Sequence, residues 1–404
     1  MTDHGGDKAA LPTRLKKALI NLTILVVTVA FGLLLAEFVS RLFLNPADFL
    51  RLDVVSDPVL GAVPSPSAMA AFDRLGFRNR KVPETADIVA VGDSHTYGNT
   101  ARMVDSWPYV LGLLTGREVY NMSLGGYGPN QYFYLSTTKA LALKPKMIIW
   151  GLYMGDDFEN AFSLTYGFDY WAHLRILPPQ KVQANIWDTE PNPPSWHLQG
   201  LRVWLSRHSV IYQIAFHTGF GERLKGQVQI RNAAQLYPGY ATSLIVPEKN
   251  ILEAFRPKGV LFGLDQEDPH VREGMRITFE LLKGMNEICQ QNHIQFMVVV
   301  IPTKEMVFSD YLEGNSNVPL DDVIDKVIVN GHLAEDQTFK FMNDNHISYV
   351  DALPAMKSSI GQGLYYDGAT DMHPSRNGYR VIAETVAERL KQLESDRQPA
   401  TPAQ

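Results

Sequence analysis

The segment that decides the fold is Ile88–His95, which reads Ile-Val-Ala-Val-Gly-Asp-Ser-His. Its first half is a short, uninterrupted apolar run, typical of a strand that is buried on both faces of a parallel sheet. The run ends in Gly-Asp-Ser, so the Ser94 hydroxyl is expected just beyond the carboxyl end of that strand. Ligands of open α/β sheets bind at this edge. The sequence therefore predicts a nucleophile at a position suited to chemistry.

Apolar segments and helical patterns alternate along the rest of the chain. Strands are predicted at 87–91, 118–121, 146–152, 294–301 and 347–350, and helices at 131–143 and 378–393, with a further helix between the N-cap Ser106 and the stop signal Gly116. Short apolar strands that alternate with helices indicate a parallel sheet covered on both faces, which is an α/β fold.

A second polar motif, Asp371-Met372-His373, stands just before the predicted C-terminal helix. A serine, a histidine and an aspartate are the groups needed for acyl transfer through a serine ester. The histidine removes the serine proton, and the aspartate orients the imidazole and stabilises its charged form.

On these motifs the chain resembles the SGNH, or GDSL-type, hydrolases over roughly residues 86–395. The resemblance implies a flavodoxin-like three-layer α/β/α fold with a parallel sheet. It implies Ser94 as the nucleophile, His373 as the base and Asp371 as the orienting carboxylate, with Asp367 as an alternative to Asp371.

The resemblance also implies an oxyanion hole. The backbone N–H of Gly126, in the motif Asn121–Gly126, is expected to join that of Ser94, with Gly125 one residue out of register. Asp156 stands where the family has an asparagine donor, and an ionised carboxylate only accepts hydrogen bonds. Asp156 is then protonated through burial, or Asn160 or a backbone N–H donates instead, or the donor is missing.

His95, Asn160 and Lys304 are candidate substrate contacts, although the sequence favours a structural or pocket-lining His95 and a solvated Lys304. The eleven histidines show no paired metal-ligand spacing, and no glycine-rich phosphate loop is present. We therefore predict neither a metal nor a cofactor. Cys289 is the only cysteine, which excludes an intrachain disulfide, and we expect it to be buried.

The N-terminus resembles a membrane anchor, predicted over residues 18–44. Ala18 to Ala36 carries no charge and approaches the length of a bilayer core. Arg14, Lys16 and Lys17 precede it, which by the positive-inside rule keeps residues 1–17 in the cytoplasm. The expected location is the inner (cytoplasmic) membrane, single-pass, with the catalytic domain periplasmic. A cleaved signal peptide and a buried core helix are the alternatives.

Residues 45–85 are predicted as a linker, 86–395 as the SGNH-like domain and 396–404 as a disordered tail. A large insertion interrupts the domain at about 160–270. It is too long for a plain crossover. It either walls the site or binds a partner, or its tryptophans pack a small satellite core.

A mild net charge of −6 gives no support for nucleic-acid binding. The sequence predicts a membrane-anchored, extracytoplasmic serine ester hydrolase that acts on an O-acyl ester of a carbohydrate or lipid. One alternative is an O-acyltransferase that modifies an envelope polysaccharide beside a membrane acyl-donor protein. The other is a non-catalytic protein of this fold that binds a glycan or a partner.

Overall fold

The computed structural model describes residues 13–44, 46–49, 54–66, 72–178, 201, 204–205, 208–217, 241–315, 318, 321–366 and 371–396. The predicted tails at 1–12 and 397–404, the centre of the insertion and Asp367 lie outside these ranges. The described residues form two compact units. The first contains the N-terminal helix and residues around 208–216, and the second contains the remainder.

The strands are β1 (Val54–Asp57), β2 (Gly61–Pro64), β3 (Ile88–Gly92), β4 (Val119–Ser123), β5 (Met147–Tyr153), β6 (Thr242–Val246), β7 (Ile251–Phe255), β8 (Gln295–Ile301) and β9 (Ser348–Asp351). The helices are α1 (Thr13–Phe43), α2 (Ser94–Tyr97), α3 (Trp107–Thr115), α4 (Pro129–Leu135), α5 (Asp157–Gly167), α6 (Val210–His217), α7 (Pro257–Leu264), α8 (Pro269–Gln291), α9 (Lys304–Val307), α10 (Ser309–Leu312), α11 (Asp321–Asp344), α12 (Leu353–Ser358) and α13 (Arg376–Ser395).

The first unit is built on α1, the single long helix predicted from the apolar N-terminal pattern. Its segment Lys16–Phe43 has 28 residues and a mean hydropathy of 2.5, and its most apolar part is unburied. It is long and apolar enough to cross a membrane, a property that signal sequences share. Near its end, Glu37 accepts hydrogen bonds from the backbone N–H groups of Val210 and Ile211, both at 3.0 Å, which caps α6.

The second unit is built around a five-stranded parallel sheet in the order β4-β3-β5-β8-β9. Numbered along the chain within this sheet, the order is 2-1-3-4-5, that of flavodoxin-like folds. The predicted fold class is therefore confirmed. Successive strands are added first on one side of β3 (β4) and then on the other (β5). The carboxyl ends of β3 and β5 therefore flank the switch point at which such sheets bind ligands.

Alternate residues of the strands enter two separate hydrophobic cores, one on each face of the sheet. Val89 and Val91 of β3 pack in the core that contains α4, α5 and α8. Ile88 and Ala90 pack in the other core, with α3 and α13. The pleat thus converts one continuous apolar run into two buried faces, which gives three layers.

The predicted strands of this sheet lie within two residues of the observed ones, and Cys289 is buried in α8 as expected. The long helix α11 and the antiparallel hairpins β1–β2 and β6–β7 were not predicted. The segment interpreted as a linker contributes the β1–β2 hairpin and, further on, the buried Phe77.

The described end of the insertion lies at the carboxyl edge of the sheet. A Cβ atom added to Gly263 of α7 would lie 2.2 Å from the carbonyl oxygen of Gly155, which follows β5. Trp171 is buried in the main core rather than in a satellite core, whereas Trp204 is exposed. Trp187 and Trp196 lie outside the described residues.

Candidate active site

The serine motif forms a tight turn between β3 and α2. Asp93 is the N-cap of α2, and its Oδ1 accepts hydrogen bonds from the backbone N–H groups of His95 at 2.8 Å and Thr96 at 3.4 Å. Gly98, in the left-handed conformation with φ 85°, ends the helix after one turn. The Ser94 side chain is consequently held at the carboxyl edge of the sheet, 8% exposed.

The turn is supported from below by a close contact that only glycine allows. A Cβ atom on either Gly92 or Gly151 would lie 2.1 Å from Oγ1 of Thr96, which is fully buried between β3 and β5. Two neighbouring strands therefore both lack a side chain where Thr96 inserts. Thr96 fixes the position of α2, and with it the position of Ser94.

Arg78 holds the far end of the same turn. Its guanidinium donates to the carbonyl oxygens of Tyr97, Gly98 and Ala101 at 2.5, 2.9 and 3.1 Å. It also lies 4.0 Å above the Tyr97 ring. Sequence reasoning missed this residue because Arg78 lies in the segment interpreted as a linker. An arginine close in sequence to a buried strand was the only signal.

The structure brings the serine, histidine and aspartate of the two motifs together. His373 Nε2 lies 2.7 Å from Ser94 Oγ, and His373 Nδ1 lies 2.5 Å from Asp371 Oδ1. The backbone N–H of His373 also donates to Asp371 Oδ1 at 2.9 Å. The imidazole thus bridges a hydroxyl and a carboxylate, with one ring nitrogen for each.

The charges in this arrangement suit a general base. Burial by itself lowers the pKa of His373, but the adjacent Asp371 carboxylate outweighs it, and the pKa lies above its ordinary value. Burial by itself raises the pKa of Asp371, but the charge and hydrogen bonds of His373 hold that pKa well below its ordinary range. Asp371 is therefore ionised at neutral pH and favours the imidazolium that proton transfer creates.

Backbone donors surround the nucleophile. The N–H groups of Ser94, Gly125 and Gly126 have no acceptor among the described residues. Gly126 has a φ of 73°, a conformation that glycine adopts without strain, and a Cβ atom on Gly125 would lie 3.7 Å from Ser94 Cβ. These amides are the donors expected for an oxyanion hole.

Asp156, at the position of the expected asparagine, has a raised pKa. Burial raises the pKa of its carboxyl well above the ordinary range, and the nearby Asp93 raises it further. Its Oδ1 is shielded from solvent and has no hydrogen-bond partner among the described residues. Of the three cases left open by the sequence, these surroundings favour the protonated carboxyl.

The structure places two of the expected substrate contacts below the surface. Asn160 is 4% exposed and hydrogen-bonds Asp156 through its side chain. His95 is 1% exposed, stacks on Tyr153 with ring centroids 3.6 Å apart, and lies with Nδ1 3.0 Å from Asp93 Oδ2. Burial lowers the pKa of His95, so its ring is neutral. The ring centroids of His95 and His373 are 4.7 Å apart, which makes His95 a support for the base.

The third expected contact, Lys304, is an internal group rather than the solvated charge that the sequence also allowed. It is 2% exposed, its Nζ lies 2.5 Å from Glu253 Oε2, and it donates to the Ala254 carbonyl at 3.2 Å. Glu253 belongs to β7, so this ion pair fixes the hairpin of the insertion to the carboxyl end of β8. Sequence reasoning missed Glu253, which carries no local motif.

One carboxylate cluster lies under the turn. Asp93, Asp156 and Asp157 each offer an oxygen within 4.8 Å of the others. Asp157 already accepts hydrogen bonds from Tyr132 Oη at 2.7 Å and from the Tyr153 N–H at 2.8 Å, and Asp93 caps α2. These carboxylates are engaged in holding the loops. A cavity of about 450 Å³ opens at the opposite, amino edge of the sheet and contains none of the groups described above.

A scan against protein-family models and a search of the curated proteins both give no match. Among solved structures, the chain is similar to a G-D-S-L family lipolytic protein from Desulfitobacterium hafniense, with 14% identity, coverage of 74% of this chain and 97% of that chain, and a TM-score of 0.36. It is also similar to a GDSL-like lipase from Bacteroides thetaiotaomicron, with 11% identity, coverage of 76% of this chain and 88% of that chain, and a TM-score of 0.33. An acetylxylan esterase from Geobacillus stearothermophilus matches with 10% identity, coverage of 76% of this chain and 95% of that chain, and a TM-score of 0.35.

The strand order and the position of the motifs at the carboxyl edge of the sheet define an α/β protein of the flavodoxin-like class. This is the class of fold that the resemblance in the sequence implies.

Proposed function

We propose that this chain is a membrane-anchored serine ester hydrolase with its catalytic domain on the periplasmic side. The observation that carries the proposal is the imidazole of His373, 2.7 Å from the Ser94 hydroxyl and 2.5 Å from the Asp371 carboxylate. Hydroxyl, base and orienting group come from segments far apart in sequence, yet they meet at the switch point of the sheet.

In the first half of the reaction, Ser94 Oγ attacks the carbonyl carbon of the ester while His373 Nε2 takes the hydroxyl proton. The negative charge that develops on the carbonyl oxygen is stabilised by the N–H groups of Ser94 and Gly126. Protonated Asp156 is a further donor. When the tetrahedral intermediate collapses, His373 returns the proton to the departing alkoxide, so that an alcohol leaves and an acyl-serine remains.

In the second half, water takes the place of the alcohol. His373 removes a proton from the water, the hydroxide attacks the acyl carbon, and the new tetrahedral intermediate expels Ser94 Oγ, which regains the proton. The products are a free acid and the original enzyme. An acyltransferase differs only at this step, since a sugar hydroxyl replaces the water.

The substrate we propose is an O-acyl ester of a glycan or lipid. The side chain of Asp371 is 45% exposed and that of His373 is 16% exposed, so the catalytic groups lie near the surface. An open site accommodates a short acyl group on a bulky carrier. The apolar N-terminal helix would hold the domain beside the membrane, where such carriers occur.

The test is an assay of the purified full chain in detergent on p-nitrophenyl acetate, with and without an added sugar acceptor. Release of acetate that requires Ser94 supports the hydrolase, and acetyl transfer to the sugar supports the acyltransferase instead. No turnover, together with no labelling of Ser94 by a fluorophosphonate, overturns both and leaves a binding protein. A C-terminal reporter active only in the cytoplasm would contradict the proposed topology.

A further inference from the structure

The residue that the mechanism leaves unused beside the nucleophile is Asn99. A Cβ atom built on Gly125 would lie 3.7 Å from Ser94 Cβ, 3.7 Å from Asn99 Nδ2 and 4.0 Å from Asn99 Oδ1. The nucleophile and this carboxamide therefore border the same small space, next to the glycine pair that supplies the backbone donors.

The backbone of Asn99 is fixed while its side chain is unengaged. Its N–H donates to the Ser94 carbonyl at 3.0 Å, and its carbonyl accepts from Tyr379 Oη at 2.9 Å. The carboxamide has no hydrogen-bond partner among the described residues, although the residue is half-buried. A carboxamide carries two donors and an acceptor, and leaving it unpaired at a half-buried position gives the fold no benefit.

We infer that the Asn99 side-chain amide donates a hydrogen bond to the substrate oxyanion. This inference rests on the proposed function and adds a donor to it. The family resemblance implies an asparagine where this chain has Asp156, in the loop after β5. Asn99 would thereby supply the missing carboxamide from the turn after β3. Unlike Asp156, a carboxamide is a donor at every pH at which His373 is a base.

The position of Asn99 in the turn after β3 also suits this role. Asn99 follows Gly98 at the end of α2, and Arg78 clamps the Gly98 carbonyl at 2.9 Å. The short helix therefore carries the nucleophile at its first residue and the carboxamide just beyond its last. Ser94 and Asn99 move as one rigid element, which keeps donor and nucleophile in register.

The experiment compares Asn99→Ala and Asn99→Asp in the full chain, with Asn343→Ala and Asn343→Asp as matched controls on the exposed part of α11. The aspartate is nearly isosteric with asparagine but donates nothing when ionised. We expect both Asn99 variants to lose about 100-fold in kcat on p-nitrophenyl acetate with little change in KM, since the donor acts mainly in the transition state. Thermal unfolding should not change, and the Asn343 variants should match wild type in both readouts.

Wild-type kcat in Asn99→Asp overturns the inference and leaves the proposed function standing. A loss confined to KM, or one that accompanies a lower unfolding temperature, assigns Asn99 a binding or structural role and also overturns it. If the wild type neither turns over the ester nor reacts with a fluorophosphonate at Ser94, the proposed function fails and the inference fails with it.

Discussion

Two turns at the carboxyl edge of the sheet, 92–97 after β3 and 154–157 after β5, carry an aspartate in different hydrogen-bonding surroundings. In the first turn, Asp93 accepts hydrogen bonds from the backbone of His95 and Thr96 and lies 3.0 Å from the His95 ring nitrogen. In the second, one oxygen of Asp156 has no hydrogen-bond partner in the part of the chain that the structure describes, and the pKa of the carboxyl is raised. Local hydrogen-bond donors therefore distinguish the carboxylate that caps a helix from the carboxyl whose pKa is raised.

The two turns also differ in the contacts that hold them in place. Several contacts fix the first turn, because Thr96 packs against two glycines and Arg78 binds the carbonyl groups at its end. The second turn depends on contacts from α7 of the insertion, where Gly263 packs against the carbonyl of Gly155. The turn that carries the nucleophile is thus fixed by the sheet, whereas the loop that carries Asp156 is positioned by a segment of the insertion.

The largest expected effect comes from removing the nucleophile of the first turn. Ser94→Ala should lower turnover of p-nitrophenyl acetate by about 10⁶-fold, because no acyl-enzyme forms. The exposed Ser358 supplies the matched control, and Ser358→Ala should retain full activity. Wild-type turnover by Ser94→Ala would show that another group is the nucleophile and that the rigid turn does not serve to position it.

Loss of the orienting carboxylate should come next. Asp371→Asn is expected to lower kcat/KM by about 10⁴-fold, because the imidazolium loses its partner and the ring its preferred tautomer. His373 must be neutral to accept the proton, so wild-type kcat/KM falls as pH drops below the raised pKa of His373. In Asp371→Asn that pKa decreases, and the acid limb of the pH–rate profile should move to lower pH. An unshifted limb would assign the titration to a different group.

Overpacking tests the claim that the first turn is fixed from below. Gly151→Ala places a methyl group 2.1 Å from Thr96 Oγ1 and should lower the free energy of unfolding by about 1–3 kcal/mol in urea titration. The same change at Gly167, where nothing lies within 4 Å, should be neutral or slightly stabilising. Equal effects at both sites would show that Thr96 is not confined.

The smallest effect is expected from Asp156→Asn, which tests the second turn. A neutral carboxyl and an amide both donate, so activity should stay close to wild type at pH values below the raised pKa of Asp156. The variant should exceed the wild type a few-fold at pH values above that pKa, where Asp156 ionises and repels the oxyanion. Parallel pH–rate profiles of the two proteins would show that Asp156 is outside the oxyanion hole.

Stability measurements give an independent reading of the same residue. Because the pKa of Asp156 is raised in the folded state, the fold binds a proton that the unfolded chain has released. Unfolding free energy therefore declines as pH rises from the ordinary carboxyl pKa through the raised one. Asp156→Asn should flatten that decline. An unchanged slope would assign it to other buried acids, of which Asp157 is the nearest with a raised pKa.

The sequence by itself determined the class of fold and the position of the nucleophile. Uninterrupted apolar runs such as Ile88–Val91 can be buried only between two layers, and a Gly-Asp-Ser turn after such a run places a hydroxyl at the sheet edge. The N-terminal helix could also be predicted from the sequence, because a long uncharged apolar run is typical of a helix that can span a membrane. These are local signals, carried by periodicity and composition within a few residues.

Tertiary structure alone decided what depends on contacts between distant segments. Lys304 proved to be buried because Glu253, from the insertion, neutralises it. Arg78 clamps the nucleophile turn from a segment that resembles a linker, and Gly125, which follows β4, lies beside both Ser94 and Asn99. Asp156 carries the same side chain as Asp93, and its raised pKa follows from burial beside that second carboxylate. Burial, pairing and pKa are properties of the assembled neighbourhood, which no local pattern encodes.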